Sequence, residues 1–225
     1  MGVNMFLEEI FRLDEGRHDP YIFKAIFVCG LPGAGKNYVI NKLGLVESGI
    51  KLIDIDQTTY QIEKLKQLQH KKYSDIKDIF KRRQSLYLQN FLGMVISTSG
   101  YRAEKMVEVN RVLEKSGYQT MLLFVDVDKE TALNRINQRY NYSTSPADKN
   151  RKVDMDYFEK AYEQIHYNMP LYKGMFNENF VRIINDDSIN NSIRGVERKV
   201  YSFLKSPLTE KAQNILNSTK NQNGL

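Results

Sequence analysis

A chain of 225 residues, 41% of them hydrophobic and none tryptophan, has material for one fair-sized core and not for two. No stretch approaches the roughly 18 consecutive apolar residues of a membrane span, and one cysteine with three scattered histidines excludes an internal disulfide and a zinc-type ligand cluster. The net charge of +6 is matched by Lys64–Arg83 alone, where eight Lys and Arg stand against Asp75 and Asp78; such a run means an anionic partner (nucleotide, phosphorylated metabolite or nucleic acid) or a solvated helix face.

In chain order, residues 1–19 are expected to form a short amphipathic helix, Asn4–Leu13, and a linker broken at "GRHDP". This start lacks the basic-then-apolar order of a secretory leader, and Phe6 stands where a myristoylation signal needs Ser or Thr. The expectation is a cytoplasmic protein with no membrane partner. Tyr21–Cys29 is β-branched and aromatic and reads as a buried strand, followed by a glycine-rich turn and a helix in "NYVINKLGL". Ile50–Asp56 is a second strand, and residues 59–90 are helical in two pieces around "HKKYSD". Phe91–Thr98 is a third strand, Arg102–Gly117 a helix stopped by glycine, and Tyr118–Asp128 a fourth strand.

"KETALNRINQRY" is a helix that Asp128 can cap. Asn141–Arg151 is a polar, proline-broken loop, "DMDYFEKAYEQIHYNMPLYKGMF" is helical, Asn179–Asp186 is a fifth strand, and a helix covers Ser192–Leu204. The polar tail, residues 206–225, reads as a loosely attached helix or a disordered end. Strands alternating with helices predict one α/β domain over residues 20–205, with a five-stranded parallel sheet covered by helices on both faces.

The chemistry is concentrated at "GLPGAGKN". Gly30, Gly35 and Lys36 have the GxxxxGK spacing of a phosphate-binding loop, placed straight after a strand and straight before a helix. Glycines let a tight turn aim successive N–H groups inward at a polyphosphate, and the lysine reaches its outer phosphates. The candidate nucleotide-binding residues are Gly30, Gly33, Ala34, Gly35, Lys36, Asn37 and Tyr38. Asn37 stands where Ser or Thr normally offers a hydroxyl to Mg²⁺; its amide oxygen is also a hard ligand, at a different reach.

Asp54 and Asp56 close the second strand on one face. A carboxylate there can take the proton of an attacking hydroxyl, with Asp56 nearer the tip, or can cap the helix that follows. The third strand ends in Ser97 and Thr98, where a metal-orienting carboxylate normally stands, so the metal side departs twice from the usual pattern. Arg135 and Arg139, four apart, share a helix face from which two guanidiniums can meet a phosphoryl group or engage in surface ion pairs. Arg82 and Arg83 are further candidates for holding an anionic substrate. Cys29 reads as a small buried strand residue.

"GLPGAGKN", "DIDQ", the helix with Arg135 and Arg139 and the late "RIINDD" together resemble the zeta-toxin and polynucleotide-kinase-like group of P-loop kinases. The opening "YIFKAIFVCGLPGAGKNYVI" and "YFEKAYEQIHYNM" with "LYKGMF" look like the zeta-toxin-like kinases of large tailed phages. The resemblance implies a P-loop NTPase-type fold and transfer of the γ-phosphate of ATP or GTP, with Mg²⁺, to a hydroxyl. It makes Lys36 the loop lysine, Asp56 the acceptor-side base, and Arg135 and Arg139 the lid arginines. Three outcomes stay open from sequence: a kinase of a small anionic metabolite, nucleotide or nucleotide sugar; a nucleic-acid kinase acting on a 5′ end or a hydroxymethylated base; and a non-catalytic nucleotide-binding protein.

Overall fold

The computed structural model describes residues 19–54, 76–143, 152–186 and 189–222. The expected helix Asn4–Leu13, residue Asp56 and the basic stretch before residue 76 lie outside them. The described residues hold five strands: β1 (Lys24–Cys29), β2 (Lys51–Ile53), β3 (Met94–Thr98), β4 (Gln119–Asp126) and β5 (Phe180–Ile184). Between and after them run α1 (Lys36–Lys42), α2 (Ile76–Gln89), α3 (Ala103–Lys115), α4 (Lys129–Tyr142), α5 (Met155–Phe176), α6 (Ile189–Lys205) and α7 (Glu210–Gln222).

All four strand pairings are parallel and the order is β2-β3-β1-β4-β5. Every residue of β1 is buried, as are all but the first of β4, because a central parallel strand is covered on both faces. The chain leaves β1 toward one edge and returns from β3 toward the other. That reversal between β1 and β3 is a topological switch point, where a crevice opens beyond the carboxyl ends of the two strands. The expected five-stranded parallel α/β sheet is therefore present.

Local signals set several boundaries. The Asp128 carboxylate accepts from the Thr131 N–H at 2.8 Å, which starts α4; the Thr131 side chain, and after it this N–H, hold the Asp128 carboxyl below the usual carboxylate range. Gly117, at φ 89°, takes the left-handed turn that ends α3. The start of β1 departs from expectation. Tyr21 and Phe23 have φ of 67° and 57°, so the strand begins only at Lys24. That conformation costs about 1–2 kcal/mol per residue. It is held by tertiary packing, with the Phe23 ring stacked 4.6 Å from Phe91 and its N–H donating to the Phe91 carbonyl at 2.9 Å.

The tail also departs from expectation, being docked rather than loose. Ala212 is fully buried, Ile215 and Leu216 pack on the core, and Lys211 Nζ donates to the Glu114 carbonyl at 3.1 Å. The turn before α7 is tied to β1 through Lys24, whose buried ammonium donates to Ser206 O at 2.9 Å, to Ser206 Oγ at 2.6 Å and to Gln119 Oε1. Among the described residues, no helix is long and apolar enough to cross a membrane.

Candidate active site

The loop between β1 and α1 lies in the crevice. Gly33 and Gly35 take φ of 82° and 86°, and each is pressed against a neighbour. A Cβ at Gly33 would lie 2.3 Å from the Ala132 carbonyl, and one at Gly35 would lie 2.1 Å from Asn185 Nδ2. Only glycine meets both the backbone conformation and the approach. Lys36 folds its ammonium back over the loop, donating to Gly30 O at 2.9 Å and Leu31 O at 3.0 Å. Beneath it Cys29 is fully buried; burial pushes its thiol up, against the opposing charge of Lys36, so it stays protonated and inert.

A cavity of about 610 Å³ opens over this loop. It brings together Gly33, Gly35, Lys36, Asn37, Asp54, Ser97, Thr98, Arg135 and Arg139, drawn from four separate elements. Gly30 and Ala34 form the buried back of the loop, and Tyr38 is exposed on α1 without lining the cavity. Asp54 is buried and follows β2 directly. The Ile53–Ile96 register sets it level with Ser97, the position without a carboxylate. Arg135 donates from Nη2 to the Asn185 carbonyl at 2.9 Å, while its buried Nη1 has no hydrogen-bond partner among the described residues.

Arg82 and Arg83 do not line the cavity. Arg82 is exposed beside a shallow groove on α2, and Arg83 is buried, its guanidinium pushed down by desolvation. α2 turns one arginine outward and the next inward, so neither is brought to the phosphate loop.

Sequence reasoning missed three contributors. Lys152 and Tyr157 line the cavity, next to Asp154, which caps α5 by accepting from the Tyr157 N–H at 3.1 Å. Tyr157 packs edge-on against Tyr101 at 5.4 Å, and α5 grips the exit of β3 through Asn168 Nδ2 to Tyr101 O at 2.9 Å and Tyr172 Oη to Gly100 O. Asn185 holds the loop from behind, donating from Nδ2 to the Ala34 carbonyl at 2.6 Å. An Asx residue just past β5 was the available signal; the partner 151 residues away was not. Among the described lining, Lys36, Arg135, Arg139 and Lys152 stand against Asp54 and Asp154, a basic balance suited to a polyphosphate.

A family model described as Zeta toxin matches residues 14–195. The chain belongs to the Zeta toxin family. Solved structures with the same fold accompany this Zeta toxin member. An AvrRxo1-ORF1:-ORF2 complex with ATP has a TM-score of 0.58 at 12% identity, over 82% of this chain and 59% of that one, so the present chain spans about three-fifths of it. Chaetomium thermophilum Kti12 in complex with ADP-AlF3 gives 0.55 at 16% identity, over 81% of this chain and 100% of that one. The PezAT toxin–antitoxin system of Streptococcus pneumoniae gives 0.54 at 15% identity, over 90% and 95%. At these identities the likeness is one of fold. No curated protein sequence matches the chain significantly.

Proposed function

We propose that this chain is a kinase moving the γ-phosphoryl group of ATP or GTP to a hydroxyl of a small anionic metabolite, nucleotide or nucleotide sugar. The carrying observation is the single cavity that gathers a GxxxxGK loop, two arginines of α4 and the acid that follows β2. The AvrRxo1 complex solved with ATP and Kti12 solved with ADP-AlF3 share this fold and support a nucleotide as the ligand. The likeness to phage-encoded members rests on the sequence alone.

Lys36 exchanges its loop carbonyls for the β- and γ-phosphate oxygens. The Nη1 of Arg135 and the guanidinium of Arg139 offset charge on the transferred phosphoryl. Asp56 is assigned the base that takes the acceptor proton, on the resemblance alone. Asn37, Ser97, Thr98 and Asp54 line the cavity and each carries a hard side-chain oxygen, a set that fits Mg²⁺. When bound there, Mg²⁺ would supply positive charge to offset that of the outer phosphates. Asp54 is assigned the carboxylate of that site in place of the missing acid at Ser97.

The test is transfer of γ-labelled phosphate from ATP by wild type, Lys36→Ala, Asp54→Asn and Asp56→Asn. The acceptors are nucleosides, nucleotides, nucleotide sugars, 5′-hydroxyl oligonucleotides and hydroxymethylated DNA. Transfer to a small acceptor, lost in Lys36→Ala and Asp56→Asn, supports the proposal; transfer to oligonucleotides with a steep salt dependence moves the reading to a nucleic-acid kinase. Asp54→Asn is expected to weaken Mn²⁺ binding to the ATP complex at least tenfold by electron paramagnetic resonance, with metal-free ATP affinity unchanged. Asn37 and Ser97 favour a second reading, a non-catalytic nucleotide-binding protein. It predicts Lys36-dependent ATP binding with no transfer to any acceptor.

A further inference from the structure

Asn185 sits one residue past β5 and is 5% exposed. Its backbone N–H donates to the Asp126 carbonyl at 2.8 Å, continuing the β4–β5 ladder by one step. Its side-chain Nδ2 donates to the Ala34 carbonyl at 2.6 Å, and its own carbonyl accepts from Arg135 Nη2 at 2.9 Å. One residue therefore touches the back of the phosphate loop, the end of the central sheet and a cavity arginine. Closing the sheet needs only the backbone of this residue. The side chain is directed instead to a carbonyl of the loop, so tightly that Gly35 has no room for a Cβ.

We infer that Asn185 is a positioning residue that yokes the phosphate loop to Arg135. The inference rests on the nucleotide site proposed above. The amide fixes the Ala34–Gly35 peptide plane and with it the direction of the N–H groups that follow. The backbone carbonyl holds one guanidinium nitrogen, Nη2, and so fixes the arginine that lines the cavity. Because both contacts belong to one residue seated on the sheet, the loop and the arginine keep a constant separation before any nucleotide arrives. Such preorganisation is what makes fixed donors effective toward a polyphosphate.

The experiment measures binding of ATP and of inorganic tripolyphosphate, which has no base to hold, to folded wild type, Lys36→Ala, Asn185→Ala and Asn185→Asp. Asn185→Ala is expected to weaken both ligands about tenfold, the loss of one buried hydrogen bond. Asn185→Asp keeps the size but turns a donor into an acceptor facing Ala34 O, and is expected to bind more weakly still at pH 8. Its affinity recovers toward pH 5 as the carboxyl gains a proton that it can donate, a trend that wild type lacks.

A second readout is a cycle with Gly35→Ala. That change is expected to cost more affinity in wild type than in the Asn185→Ala background, where the collision is gone and only the backbone strain remains. Lys36-dependent binding that survives both Asn185 variants, or Gly35 and Asn185 losses that simply add, overturns the yoke and leaves the kinase reading standing. Failure of both Asn185 variants to fold assigns the residue a structural role and overturns it as well. No Lys36-dependent binding by wild type overturns the kinase reading and this inference together.

Discussion

Lys36→Ala tests the phosphate site most directly, and its size follows from the free-state geometry. Without nucleotide the ammonium donates to two neutral carbonyls, Gly30 O at 2.9 Å and Leu31 O at 3.0 Å. Binding exchanges these for anionic oxygens. A charge pair about 4 Å apart at an effective dielectric near 20 attracts by about 4 kcal/mol. Against it stand the two carbonyl bonds given up, each about 1 kcal/mol net and largely recovered as those carbonyls meet water. The balance is roughly 2–4 kcal/mol, a loss of about 30- to 1,000-fold in ATP affinity.

AMP lacks the β- and γ-phosphates and serves as the internal control, with an expected change of less than about threefold on the same scale. Isothermal titration of ATP and AMP against wild type and variant reads both values, with circular dichroism to establish that the variant is folded. An ATP affinity within about threefold of wild type would refute the reasoning, because Lys36 would then not reach the phosphates.

Two further predictions concern the fold around the site. Ala212→Asp places a carboxylate where no water reaches and is expected to cost about 3 kcal/mol or more, lowering Tm by roughly 6–12 °C in a domain of this size; a shift under about 1 °C would mean that α7 is not docked in solution. Burial pushes the Lys24 ammonium down to about 8 from 10.5, so between those pH values the unfolded chain holds more protons than the folded one. Stability of wild type relative to Lys24→Met should therefore rise across that window, read from denaturant midpoints. A fall with pH would show that the cage of Ser206 and Gln119 stabilises the charged form more than burial opposes it.

Much of the molecule was legible because the signals are local. The loop motif between a β-branched run and a helix, the Asp128 cap and the Gly117 stop each act within a few residues, where spacing and backbone preference decide the outcome. The tail carried a legible sign too, since Leu208, Ala212 and Ile215 recur at helical spacing and face the core. Its polar composition outweighed that sign in the reading, although a three-residue stripe is enough when a partner surface is waiting. Strand order, the left-handed turn at Tyr21 and Phe23, the separation of Arg82 and Arg83 from the cavity and the reach of Asn185 to Ala34 have no local signal.

What the sequence determined by itself was therefore the set of parts: the strands, the capped helices and a phosphate loop with its lysine. What only the tertiary structure decided was which parts meet. Contacts such as Asn185 to Ala34, 151 residues apart, arise only when parallel crossovers bring the carboxyl ends of distant strands to the same end of the sheet. Their partners are chosen by packing, which no spacing within a helix or strand encodes.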